Sequence, residues 1–288
     1  GRTLINQGTI LAETAGKTFN IDATSFDNIG LVHATNGGVI TTSGVRSNAG
    51  GVLRVDANST LTVAGTDWSN VGGQIDVQGG TLNLDGRYTT AALDLANGYT
   101  RNGGTVNVRG VLNNSDDTLA LNAATGGLSI VTGTIRGGTI TASGGVIPTL
   151  GANTSGTLDN VTLDTDFTVT NSSTLFVTDT LGTGRGVVLK NGRKLIIDSQ
   201  NSTTDLRIVG NQTLGAEAGG TAEVLFTGAN SSGRMFASNS GDTLTLASNL
   251  TVRGSQGGQI GFGGRTLINQ GTILAETAGK TFNIDATS

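Results

Sequence analysis

Residues Ser47 to Gly65 read SNAGGVLRVDANSTLTVAG and contain the two patterns that decide the fold. An Asn-x-Gly group comes first, and two pairs of apolar residues follow: Leu53 with Val55, and Leu61 with Val63. Within each pair one residue separates the two members, which is the pattern of a β-strand with one buried face. Glycine and asparagine between the pairs favour tight turns, because both residues adopt positive φ angles readily. The stretch therefore predicts two short strands joined by a corner.

The same apolar pairs recur on both sides of this stretch. Examples are Phe19 and Ile21, Ile75 and Val77, Leu82 and Leu84, Leu93 and Leu95, Val106 and Val108, Leu195 and Ile197, Leu206 and Ile208, and Val224 and Phe226. Each pair predicts a strand of about four or five residues with its apolar side chains pointing inward. No window shows a period of 3.6 residues, so we expect an all-β protein with almost no helix.

A longer period appears in the first 72 residues, where Asn-x-Gly recurs four times at intervals of 22, 20 and 22 residues. The residues of these predicted corners are Asn6, Gly8, Asn28, Gly30, Asn48, Gly50, Asn70 and Gly72. Three short strands with their turns fill such an interval, so the spacing predicts a three-sided parallel β-solenoid with about 20 to 24 residues per coil. Equivalent asparagines would then stack, and each could hydrogen-bond to the coils above and below it.

The first 25 residues, GRTLINQGTILAETAGKTFNIDATS, are repeated letter for letter at residues 264–288. We interpret residues 1–263 as one long repeat of about 11 to 13 coils, and residues 264–288 as the start of the next repeat in the same solenoid. Asn269 and Gly271 then form a further corner. The alternative is that a 25-residue segment has been copied to the other end.

Beyond the first 114 residues the spacing is looser, which indicates coils of less regular length. Four stretches lack a clear inward pair and are expected to be surface excursions at corners. They are Val146 to Thr157, Asn201 to Thr204, Gly215 to Gly220, and Ala229 to Gly233.

Composition narrows the classes of function. The chain has 288 residues with 47 glycines, one proline, no cysteine, 13% charged residues and a net charge of −4. Without cysteine there are no disulfides and no thiolate metal sites. No basic patch favours nucleic acid. No run of about 20 apolar residues favours membrane insertion of this segment.

Residues with catalytic potential are few. Two aspartate groups, Asp116 with Asp117 and Asp164 with Asp166, could supply paired carboxylates, but solvated strand or turn positions are the simpler expectation. An enzyme would also need a cluster of His, Asp and Lys or Arg in adjacent coils. The only histidine, His33, is expected to be a surface or corner residue. We therefore predict no enzyme activity and propose no catalytic, cofactor-binding or metal-binding residue.

Three aromatic residues could bind sugars if their rings were exposed. Trp68, Tyr88 and Tyr99 each lie close to a predicted inward pair. Stacking on a sugar needs an exposed ring face, whereas packing beneath a loop would bury it. We expect corner packing.

The coil motifs resemble those of filamentous-haemagglutinin-type exoproteins and the passenger domains of bacterial autotransporter adhesins. The resemblance lies in LINQGTILAE (Leu4 to Glu13), the opening stretch above, SNVGGQIDVQGGTLNLDG (Ser69 to Gly86) and RNGGTVNVRGVLNN (Arg101 to Asn114). It implies a right-handed parallel β-helix, secreted and displayed at a bacterial cell surface, acting in adhesion or as a rigid stalk.

Two other functions remain open at this stage. One is an extracellular filament subunit that self-assembles end to end, and the other is a carbohydrate-active β-helix enzyme or phage tailspike segment. The expected partners are neighbouring identical repeats or subunits, with surface glycans or host and neighbour-cell receptors as further possibilities.

Overall fold

The computed structural model describes residues 1–285. These residues form a parallel β-solenoid of about 12 turns with essentially no helix, which confirms the predicted fold class. The right-handed sense stays an expectation of the resemblance. Within the described residues the model has 35 short strands and one four-residue helix.

The strands up to residue 121 follow the corners and apolar pairs of the sequence. They are β1 (Thr3–Asn6), β2 (Thr9–Ala12), β3 (Thr18–Ile21), β4 (Ser25–Asn28), β5 (Leu31–Ala34), β6 (Val39–Thr42), β7 (Val45–Ser47), β8 (Val52–Asp56), β9 (Thr60–Thr66), β10 (Gln74–Gln78), β11 (Thr81–Thr89), β12 (Tyr99–Arg101), β13 (Thr105–Val108), β14 (Val111–Asn113) and β15 (Thr118–Leu121). The helix α1 (Thr90–Leu93) lies between β11 and β12.

The remaining strands are equally short. They are β16 (Ser129–Ile130), β17 (Thr134–Arg136), β18 (Thr139–Ala142), β19 (Thr149–Leu150), β20 (Ser155–Asp159), β21 (Val161–Asp164), β22 (Phe167–Val169), β23 (Thr174–Thr178), β24 (Val187–Leu189), β25 (Lys194–Ser199), β26 (Thr204–Ile208), β27 (Gln212–Ala216), β28 (Ala222–Gly228), β29 (Gly233–Ala237), β30 (Thr243–Leu246), β31 (Leu250–Gly254), β32 (Gly258–Ile260), β33 (Thr266–Asn269), β34 (Thr272–Ile273) and β35 (Phe282–Ile284).

Contacts between residues divide the chain into two units. The first comprises residues 1–117, 121–129 and 143–146. The second comprises residues 118–120, 130–142 and the described residues from Ile147 onward.

In the first unit every coil pairs in parallel with the next. Strands β1, β4 and β7 form one side, β2, β5, β8, β10 and β12 form a second, and β3, β6, β9 and β11 stack on a third. Inward residues form ladders, one of which runs from Val32 through Leu53 to Ile75, all buried. Each such side chain contributes about 1.5 to 3 kcal/mol through burial.

The second unit repeats this architecture with more variable coils. Leu195, Val224 and Val252 form one buried ladder. The separation between hydrogen-bonded residues of successive coils varies from 19 residues, between Thr154 and Ser173, to 32 residues, between Gly210 and Asp242. The interval of 20 to 24 residues that the first unit keeps is therefore not kept here.

One apolar pair is not a strand. Leu93 and Leu95 were expected to alternate, but Leu93 ends helix α1 and is buried, whereas Leu95 follows it in a turn. The side chain of Thr89 caps the helix by accepting a hydrogen bond from Ala92 N, and Asp94 ends it in a left-handed conformation. Local capping by Thr and Asp therefore decides this segment, and the apolar spacing does not.

The four expected surface excursions also contain strand residues, so those predictions were partly wrong. Strand β19 lies inside Val146 to Thr157 and buries Leu150. Thr204, Ala216 and Gly233 are buried strand residues at the edges of the other three stretches. A two-residue strand has only one inward side chain, so it shows no alternation for sequence reasoning to detect.

Candidate functional site

The corner asparagines of the first unit form one hydrogen-bonded column. Nδ2 of Asn6 donates to Oδ1 of Asn28, Asn28 donates to Asn48, and Asn48 donates to Asn70, each at 2.7 Å. All four side chains are buried. The column therefore joins four successive coils through side chains that donate on one side and accept on the other.

The second proton of each Nδ2 is also used. Asn6, Asn28 and Asn48 donate to the carbonyl oxygens of Leu31, Val52 and Gln74, at 3.1 to 3.2 Å. These carbonyls belong to the start of the next coil's strand or to the residue just before it. A buried amide that lacked such partners would cost about 1 to 3 kcal/mol, so the column stabilises the corner only because it is complete.

Glycine is required next to the column for steric reasons. A Cβ on Gly30 would lie 2.1 Å from the carbonyl oxygen of Gly8, and one on Gly73 would lie 2.0 Å from that of Asn48. Gly50 and Gly72 have positive φ angles of 81° and 77°. Close stacking of corners thus explains why glycine accompanies asparagine in every coil of this region.

The column ends at Asn70, above which the sequence supplies no equivalent asparagine. Nδ2 of Asn70 donates to the carbonyl oxygens of Leu93 and Gly98, at 3.2 and 2.7 Å, on either side of the turn that follows helix α1. The hydroxyl of Thr90 donates to Oδ1 of buried Asn114 at 2.7 Å. Sequence reasoning missed this last pair, because neither residue belongs to an Asn-x-Gly group.

Asn269 and Gly271 occupy the corresponding corner in the second copy of the repeated segment. Oδ1 of Asn269 accepts a hydrogen bond from Gly271 N at 3.2 Å, and its strand pairs with Leu246. Asn269 is exposed, unlike its counterpart Asn6. Within residues 1–285 it does not join another asparagine.

His33 lies on strand β5 and takes part in a polar cluster across adjacent coils. Its Nε2 is 2.7 Å from Oδ2 of Asp56, and Arg54 Nε is 2.9 Å from the other oxygen of Asp56. Arg54 also reaches Asp76 at 3.4 Å. The sequence gave no sign of this cluster, because the stacking of strands β5, β8 and β10 brings its residues together.

The charge state of Asp56 favours a cross-linking role for this cluster. Burial opposes ionisation, but hydrogen bonds from Arg54, His33 and Thr35 outweigh it and hold the pKa of Asp56 below its usual value. A general acid for glycoside cleavage needs a raised carboxyl pKa. The geometry therefore fits lateral bonding between coils better than acid catalysis.

The other predicted carboxylates are engaged in local structure. Asp164 ends strand β21 and pairs with Arg193 at 2.8 Å, while Asp166 lies in the following turn and accepts from Lys194 N at 2.9 Å. They do not share a strand face as expected, because the chain turns between them. Asp116 and Asp117 are exposed in a turn.

The aromatic candidates differ in exposure. Trp68 and Tyr88 are buried against each other with ring centroids 5.1 Å apart, which leaves no ring face for a sugar. Tyr99 is half-buried, and its hydroxyl donates to the carbonyl oxygen of Thr125 at 3.3 Å. Corner packing, and not sugar stacking, therefore describes Trp68 and Tyr88.

The second unit contains one charged cluster that sequence reasoning missed. Buried Asp205 accepts hydrogen bonds from both Arg207 and Arg234, with shortest distances of 2.7 Å. The guanidinium groups of these arginines lie 5.2 and 5.5 Å from the ring centre of Phe236, a range in which cation–π attraction acts. The ring is buried under these side chains, so the cluster cross-links coils β26 and β29.

Comparison with known proteins identifies no relative: the chain matches no protein-family model, no curated protein and no solved structure. Among residues 1–285 no group of three or more His, Cys, Asp or Glu side chains could hold a metal ion. In the same described range, no helix has the length and apolar character needed to cross a membrane.

Proposed function

We propose that this chain is a structural repeat of a large secreted or cell-surface bacterial fibrous protein that acts as a rigid stalk or filament in adhesion. The observation that carries the proposal is the 25-residue segment that occurs twice, 263 residues apart. In both places the segment forms strands that pair in parallel with a neighbouring coil. A unit that begins and ends with the same coil is suited to a tandem array.

The physical basis is the open edge that every solenoid coil presents. A free edge exposes unpaired backbone groups and apolar residues, which favour aggregation. A following repeat with the same first coil covers that edge with a surface of known fit. Extension by identical repeats therefore keeps each internal coil buried on both sides.

The buried columns support mechanical rigidity. The asparagine column and the aliphatic ladders bond each coil to the next in the first unit, and ladders of Val and Leu do so in the second. The coil motifs that resemble filamentous-haemagglutinin-type and autotransporter passenger proteins support an extracellular or surface location. Surface glycans or receptors on a host or neighbouring cell are the proposed adhesion targets.

A second candidate is an extracellular filament subunit that joins end to end, which the open apolar faces of the two copied coils favour. A carbohydrate-active enzyme or phage tailspike segment is less favoured. The His33 cluster is the best acid–base candidate, and its carboxylate Asp56 has a lowered pKa.

Electron microscopy tests the proposal. The 288-residue chain is compared with a protein that contains one further 263-residue interval. Under the proposal the longer protein lengthens by about 4.8 Å for every added coil. Particles that thicken or become globular without added length would overturn the stalk function.

A further inference from the structure

The two copies of the repeated segment are bonded on different faces. In the first copy, strands β1, β2 and β3 pair with β4, β5 and β6, which follow them in the chain. In the second copy, strands β33, β34 and β35 pair with β30, β31 and β32, which precede them. One sequence therefore accepts a parallel coil on either of its faces.

Both free faces are apolar. In the first copy a cavity of about 410 Å³ opens between Leu4, Ile10, Phe19 and Ile21, and Phe19 is 48% exposed. In the second copy Ile284, which corresponds to Ile21, is 59% exposed. These inward-type side chains are positioned to continue the aliphatic ladders, but no coil covers them within residues 1–285.

The asparagine column has a direction that matches these faces. Every donation in it runs from an earlier coil to a later one, as from Asn6 to Asn28. Oδ1 of Asn6 accepts only a long contact from Gly8 N at 3.3 Å, so it has room for a donor from a preceding coil. Within the described part of the chain, Nδ2 of Asn269 donates no hydrogen bond, so it is the matching donor.

We propose that two copies of this chain join head to tail, with coil Thr266–Ile284 of one copy stacked in parallel on coil Thr3–Ile21 of the second copy. Asn269 donates to Asn6 of the second copy, and Phe282 stacks on its Phe19. The inference rests on the proposed structural function and names the partner as an identical chain. Such a heterologous contact does not close on itself and generates an open fibre.

Identity of the two facing coils is what makes the fit specific. Facing coils of the same sequence have the same strand lengths and the same corners, so no insertion interrupts the stack. In-register stacking of identical residues pairs every backbone group and forms side-chain ladders. The contact also places Glu276 near Glu13 and Lys280 near Lys17 of the second copy. These like charges weaken it, so association should strengthen with added salt.

Disulfide trapping tests the register directly, because the natural chain has no cysteine. Ile5 and Ile268 are outward, 54% and 43% exposed, and would lie opposite each other across the joint. Paired residues on neighbouring strands are about 4.8 Å apart, within the span of a disulfide. Mixing Ile5→Cys with a tagged Ile268→Cys chain should give the mixed disulfide as the main product of mild oxidation.

Two control mixtures make the trapping decisive. Val71→Cys is equally exposed but outside the joint, so its mixture with Ile268→Cys should give only background cross-linking. A yield from Ile5→Cys no higher than this background overturns the proposal. Preferential trapping of Asp27→Cys by Ile268→Cys also overturns it, because that result means that the second copy of the segment replaces the first copy.

Sedimentation of the unmodified chain provides an independent readout. Ile284→Glu places a charge on the free face, whereas Leu181→Glu places one on an exposed corner elsewhere. We expect Ile284→Glu to weaken self-association at least tenfold and Leu181→Glu to leave it unchanged. A monomeric natural chain at all concentrations overturns the joint, yet leaves the stalk function intact, since the microscopy test uses covalently linked repeats.

Discussion

The two units of the solenoid bond their corners in different ways. In the first unit four asparagines 20 or 22 residues apart form one column, in which each side chain bonds the next. In the second unit the asparagines act alone. Oδ1 of Asn171 accepts from the backbone of three successive loop residues, and Oδ1 of Asn191 accepts from Thr221 N at 3.0 Å.

The difference shows what coil length controls. When successive coils have nearly equal length, equivalent corner residues lie above one another, and an amide can donate to its own copy. When the coil length varies between 19 and 32 residues, as in the second unit, corner residues no longer align. Each longer loop must then satisfy its own backbone through a local Asn or Asp cap.

The largest expected effect concerns what the units share. Val77→Asp in the first unit and Val224→Asp in the second each place a carboxylate inside a fully buried aliphatic ladder. A buried charge without a partner is strongly unfavourable, so we expect a loss of on the order of 4 kcal/mol in the free energy of unfolding for both. Urea unfolding measured by circular dichroism gives the values.

Matched controls separate burial from charge. Val71→Asp and Leu181→Asp introduce the same group at exposed positions in the first and second unit, and each should change stability by less than about 0.5 kcal/mol. A Val224→Asp variant as stable as Leu181→Asp would mean that the second unit lacks the ladder. The comparison between the units would then extend beyond their corners.

An intermediate effect should distinguish the corners themselves. Asn48→Ala removes a residue that bonds Asn28, Asn70 and Gln74, and it leaves buried donors and acceptors unpaired. We expect a loss of about 2 to 4 kcal/mol. Asn191→Ala removes one exposed capping bond and should cost about 0.5 to 1.5 kcal/mol, measured by the same unfolding experiment.

The exposed Asn97, which bonds only Asp94 through its side chain, serves as the control within the first unit. Asn97→Ala should cost less than Asn48→Ala. Equal losses at Asn48 and Asn191 would show that the column adds nothing beyond local capping.

Sequence reasoning could predict most of the fold of the first unit. There the interval between Asn6, Asn28, Asn48 and Asn70 is nearly constant, so both the strand period and the coil period are visible. It could not predict helix α1, because the capping of Thr89 and Asp94 competes with apolar spacing. Nor could it place strand β19, which has a single inward residue.

The candidate site was only partly accessible for a related reason. The asparagine column repeats a visible motif, whereas the His33 cluster and the Asp205 cluster join residues 23 and 29 positions apart that share no motif. Their positions depend on the register between coils. A single sequence reveals that register only where coil length is constant.

The smallest expected effect concerns pH and the caps of the second unit. Asp159 is buried, which opposes its ionisation, but hydrogen bonds from Thr180, Arg136 and Thr178 outweigh this and lower the pKa of its carboxyl. Its stabilising effect is fully present above the unfolded pKa of about 3.9 and is lost as the pH falls through the lower folded pKa. The asparagine column of the first unit carries no titratable group.

Asp159→Asn should therefore destabilise the chain at neutral pH, and the difference from the natural chain should shrink as the pH falls below about 3.9. Urea unfolding at a series of pH values measures this difference. Thr180→Ala, which keeps the carboxylate but removes the hydroxyl donor 2.7 Å away, should lose stability in the same direction by a smaller amount. Hydrogen exchange assigns the loss, since amides beside Asn48 should keep their protection while those near Thr180 lose it. A deficit in Asp159→Asn that is the same at every pH would mean that its shape, and not its charge, holds this corner.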